Sequence, residues 1–116
     1  MTVTVTHPGP EGHRSFFVAL TPTRPDWPAA LTAEEGAALS AHSESLAALA
    51  AQGICVLAGP CLDAGLGVGV FDGWTVDELT RHLADEDPMV VAGFFDASVR
   101  AMKVSFERAS TETDHR

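Results

Sequence analysis

Threonine and valine alternate over residues 1 to 6, a period of two that suits a strand, but His-Pro-Gly-Pro-Glu-Gly follows at once and stops it. This segment reads as a short edge strand or a mobile arm, and residues 1–14 are set apart as an N-terminal arm. Ser15 to Leu20 (SFFVAL) is a β-branched and aromatic run that predicts the first core strand. Thr21 to Leu31 carries Pro22, Pro25 and Pro28 around Trp27, a composition that forbids regular structure and predicts a loop draped over the domain.

A helix start is written in Thr32-Ala33-Glu34-Glu35, where Thr32 can cap the Glu35 amide while the Glu35 carboxylate reaches back. Leu39, His42, Leu46 and Leu49 then recur on one helical stripe, with Glu35, Ser43 and Glu44 away from its centre, and Gly53 supplies the left-handed residue that ends the helix. Ile54 to Ala58 is an apolar strand stopped by Gly59-Pro60. After a short connection from Cys61 to Ala64, Gly65 to Phe71 (GLGVGVF) completes a hairpin. Thr75-Val76-Asp77-Glu78 repeats the capping box, with Val76, Leu79 and Leu83 as the apolar stripe of a second helix ending near Asp85. Asp87-Pro88 opens a further helical turn, Asp96 to Phe106 makes the last strand, and residues 107–116 form a polar, flexible tail.

The resulting order, β-α-β-β-α-β, predicts an α+β fold of ferredoxin-like type: one antiparallel sheet with two helices on one face. Phe16, Phe17, Val56, Val68 and Val70 cannot all point at those helices, so the bare face is expected to meet a second copy of the chain in a homodimer.

At 116 residues the chain has length for one domain, placed at 15–106, and 46% hydrophobic against 20% charged residues is enough apolar surface to fold. Seven Lys and Arg against sixteen Asp and Glu give a formal charge of -9, which would repel phosphate backbones and anionic lipid surfaces. No nucleic-acid or membrane partner is therefore expected. The first fourteen residues lack the charged start and apolar stretch of a secretory signal, and Cys55 and Cys61 read as reduced, buried thiols, so a cytoplasmic location is expected.

The chemistry concentrates on two residues. His42 occupies an apolar stripe where leucine would pack better and cost no desolvation, so it needs a polar partner. A carboxylate such as Asp87 could hold one tautomer and leave the other ring nitrogen free to exchange a proton with a ligand. The plainer account of His42 is a core histidine satisfied by a backbone carbonyl; that of Asp87 is an ordinary cap before proline. The GLGVG run opens no helix and lacks a phosphate-loop pattern, and His7, His13 and His82 have no metal-ligand spacing, so neither metal nor cofactor is expected.

His42, the run Gln52 to Pro60 (QGICVLAGP) and the run Asp87 to Gly93 (DPMVVAG) resemble, in order and distance, the YciI-like (YCII-related) family. The resemblance covers Ser15 to Phe106 and implies a dimeric α+β barrel with a catalytic dyad that maps onto His42 and Asp87. It departs at Ala101-Met102, where many relatives carry Pro-Trp or Pro-Phe. A substrate pocket is expected near Trp27, Gly59, Pro60 and Gly93. The expected function is that of a cofactor-independent lyase or isomerase acting by general acid–base chemistry on a small organic molecule. The alternative is a non-catalytic module that binds a small molecule or a protein on the same fold.

Overall fold

The computed structural model describes residues 2–63 and 65–108. In chain order the elements are β1 (Val3–His7), β2 (Ser15–Pro22), α1 (Ala33–Ala51), β3 (Cys55–Pro60), β4 (Gly67–Asp72), α2 (Val76–Asp85), α3 (Pro88–Val91) and β5 (Phe95–Ala101). The strands form one mixed sheet in the order β1-β5-β2-β4-β3. This is an α+β architecture compatible with a ferredoxin-like arrangement.

Local hydrogen bonding sets the helix boundaries. At the start of α1 the Thr32 hydroxyl accepts from the Glu35 amide at 3.0 Å and the Glu35 carboxylate accepts from the Thr32 amide at 2.9 Å. Thr75 and Glu78 repeat the arrangement on α2. Gly53 follows the last turn of α1 at φ +80°, a conformation that glycine adopts without the Cβ penalty.

Strand alternation sends Phe16, Val18 and Leu20 of β2 and Phe95, Ala97 and Val99 of β5 into one core, where they pack with Leu79 and Leu83 of α2 and Met89 and Val90 of α3. Phe17 pairs with Val70 and Ala19 with Val68, so these four side chains share the opposite, helix-free face.

Two features depart from expectation, and one alternative is decided. Of the two readings of the N-terminal segment, the edge strand holds: β1 runs along the sheet edge beside β5, with Val3 opposite Ala97 and Val5 opposite Val99. The pairing is parallel, which makes the sheet mixed rather than wholly antiparallel. Val3 gains packing against the core there, and Thr2 accepts a bond from the Ala97 amide at 2.7 Å. The last strand ends at Ala101 rather than Phe106. Its partner β2 begins at Ser15, whose carbonyl takes the Met102 amide, and past that point no ladder remains to pair with. Of the expected tail, Glu107 and Arg108 carry no regular structure and 109–116 lie outside the described residues, as does Ala64 of the hairpin connection.

Candidate functional site

His42 and Asp87, 45 residues apart in sequence, meet directly. The His42 ring nitrogen Nδ1 lies 2.9 Å from Asp87 Oδ2 and 3.1 Å from Oδ1. Asp87 is 2% exposed and His42 7%. The same carboxylate caps α3, since Oδ1 accepts from the Met89 amide at 3.0 Å and from the Val90 amide at 3.3 Å. Capping and orienting therefore coexist on one side chain: Oδ1 is shared between the helix and the imidazole, while Oδ2 is given to the imidazole alone. An ionised carboxylate only accepts, so Nδ1 carries the proton. In the neutral ring Nε2 is then a bare acceptor, the tautomer suited to a general base.

His42 and Asp87 border a cavity of about 570 Å³ between α1 and the β3–β4 side of the sheet. Its deep end is buried and apolar, with Val18, Phe71, Leu83 and Phe95. Exposed residues, among them Ser43 and Ala47 of α1 and Ala58 and Pro60 of β3, stand at its mouth. The size falls in the range of small-molecule sites, which are mostly apolar with a few convergent polar groups. No hydrogen bond from the described residues reaches His42 Nε2, and this atom is not sealed inside protein.

Gly59 and Pro60 line this cavity, whereas Trp27 and Gly93 do not. Gly93 ends α3 at φ +81°, and its carbonyl accepts from the Thr23 hydroxyl, so its role is to terminate the helix and hold the loop. Trp27 stands one layer back: its ring meets Phe95 edge-on at 5.3 Å and 76°, and Phe95 in turn meets the His42 ring at 6.0 Å and 86°.

Sequence reasoning missed what holds Trp27. Arg24 sits 5.4 Å over the Trp27 ring and grips Glu35 through two bonds of 2.8 and 3.1 Å, with Asp26 at 2.9 Å and the Ala29 carbonyl at 2.7 Å completing its set. Glu35 is therefore buried rather than turned away from the packed face of α1. The Arg24 guanidinium, together with the Thr32 amide, holds the Glu35 carboxyl below its usual range, and Glu35 in turn raises Arg24. The signal was the capping box itself, which pins Glu35 at the helix start; its pairing with a residue 11 positions earlier carried no local pattern.

Cys55 lines the cavity, and burial pushes its thiol up, away from thiolate reactivity. Cys55 and Cys61 are both free. Among the described residues no group of three or more His, Cys, Asp or Glu side chains is placed to share a metal ion, and no helix is long and apolar enough to cross a membrane.

No protein-family model matches the chain, and no curated protein matches it either.

Proposed function

We propose that the chain is a small enzyme of the lyase or isomerase kind, in which His42 Nε2 takes a proton from a small organic molecule and returns it elsewhere on the same molecule or its product. One observation carries this reading: a buried imidazole that lines an apolar cavity is held through Nδ1 by a buried, backbone-anchored aspartate, while no described residue partners its other nitrogen. Asp87 fixes the tautomer and balances the charge that forms when Nε2 accepts a proton. The surrounding apolar walls exclude water from the transfer.

Membership of the YciI-like family belongs to the same proposal. It is supported by the three segments that carry the resemblance: His42, the strand ending at Pro60 and the turn opening at Asp87 all border one cavity. A homodimer built on the helix-free face follows from Phe17, Ala19, Val68 and Val70 lying together there. Sedimentation equilibrium should then give about twice the 12.2 kDa chain mass. A reducing cytoplasm suits the two free thiols.

The test is proton exchange. Small uncharged carbonyl compounds with acidic C–H bonds, incubated with the protein in D2O and followed by proton NMR, should exchange faster than in buffer. His42→Gln should abolish the acceleration and Asp87→Asn should weaken it. Exchange that survives His42→Gln, or none with any member of the set, would leave a binding module as the better description.

A further inference from the structure

Strand β4 reads Gly67-Val68-Gly69-Val70, and its register separates the two residue types. Gly67 pairs with Leu20 and Gly69 with Val18, both core-facing, so the glycines turn toward the helices and the valines away. Both glycines border the cavity, and α1 lines it with Leu39, His42, Ser43, Leu46, Ala47 and Ala50. Side chains of a helix and a sheet ordinarily interdigitate to fill the gap between them. Here β4 presents only backbone at Gly67 and Gly69, and a cavity stays open between that backbone and α1.

Gly69 has a packing reason to be glycine, because a Cβ there would come within 2.9 Å of the Phe71 ring. Gly67 has none. Its nearest neighbour to an added Cβ is Leu20 at 3.5 Å, an ordinary contact, and its φ lies outside the left-handed region. Glycine weakens a strand interior, so a position with room for a side chain and no backbone demand for glycine is explained by the space it keeps clear. An independent feature marks that space as a ligand's: His42, 7% exposed, borders it with an acceptor nitrogen that no described residue partners. Charge narrows the ligand class. No Lys or Arg lines the cavity among the described residues, and its one carboxylate, Asp87, is committed to His42 and the α3 amides. An anion would be desolvated there without a countercharge.

We propose that the cavity between α1 and β4 takes an uncharged, largely apolar compound bearing one hydroxyl-type donor. The donor sits on His42 Nε2 and the apolar body lies against Gly67 and Gly69. This deepens the acid–base reading above by naming the ligand class of the same site, and Gly67 becomes its specificity-determining residue.

The probes are 2-naphthol and 2-naphthoate, which share a flat body and differ in charge, each titrated into the 15N-labelled full chain. Naphthol should move the Ala47, Gly67 and His42 signals saturably, and naphthoate should bind at least about ten-fold more weakly. Gly67→Val should weaken naphthol about ten-fold or more while keeping the wild-type amide spectrum. If it does not fold, Gly67→Ala should do the same to a smaller degree. Equal binding of naphthoate, naphthol shifts confined to other parts of the molecule, or unchanged binding by a folded Gly67 variant would each overturn the proposal. The two readings fail separately. Naphthol binding as described with no proton exchange leaves the ligand class standing and removes the acid–base function, and the reverse outcome does the opposite.

Discussion

Among the described residues two histidines are buried, His42 and His82, each 7% exposed and each directing Nδ1 at a carboxylate. They differ in everything that would make the imidazole useful. The acid beside His42 is Asp87, buried and tied to two backbone amides, at 2.9 Å. The acid beside His82 is Glu86, one turn along the same chain, with a side chain 67% exposed and a contact of 3.3 Å. The second nitrogens diverge further. His82 Nε2 is sealed in the protein with no partner among the described residues, while its ring lies 5.2 Å from Trp74; His42 lines a cavity and its Nε2 is not sealed. A histidine next to an acid is thus a common local pattern, and reactivity depends on the rigidity of the acid and on what the far nitrogen faces.

The sharpest way to break this contrast is to remove each acid. Asp87→Ala deletes a helix cap and strands a buried N–H, so urea unfolding should show a loss of about 2–4 kcal/mol. Glu86→Ala should stay within about 0.5 kcal/mol of wild type. Equal losses would mean that the two pairs are alike after all.

Trp27 tests the support behind His42. Trp27→Ala removes the wedge that backs Phe95 and should cost about 1–2 kcal/mol, since an aromatic pair adds about 0.5–1.5 kcal/mol beyond its buried area. The nitrogen-15 shifts of His42 should at the same time lose the pure Nδ1–H tautomer signature, and Trp27→Phe should restore it. His82 shifts should not move.

Replacing the rings themselves gives opposite signs. His82→Leu removes an unpartnered buried nitrogen and should stabilise the fold by about 1 kcal/mol. His42→Leu leaves Asp87 Oδ2 without its partner and should destabilise it. Thermal unfolding of the two variants checks both signs.

The smallest effect concerns acid. Because the Glu35 carboxyl lies below its usual range in the folded chain, its contribution is present above the unfolded-state value and is lost as pH falls through the folded one. Glu35→Gln should therefore flatten the stability curve on its acid limb and leave the neutral limb's slope unchanged, as unfolding midpoints across pH would record.

Much of this frame was readable in one dimension, and the reason is range. Thr32 and Glu35, Thr75 and Glu78, and Asp87 with Pro88 satisfy helix amides within three residues, so the residues alone announced all three helix starts. Gly53 marked a helix end in the same local way. His42 among leucines declared a need for a polar partner without saying which one.

What depended on faces meeting was decided only in three dimensions. Parallel pairing of β1 with β5, the grip of Arg24 on Glu35, and the placement of Trp27 behind Phe95 rather than in the cavity join segments with no shared local pattern. The same holds for the two histidines, since His82 and Glu86 look the better pair along the chain, at a spacing of one helical turn. Burial, the fixed geometry of a capping carboxylate and the bare glycine face of β4 made His42 the histidine that borders a cavity. Those are properties of packed layers, and a linear pattern carries no record of which layer lies opposite.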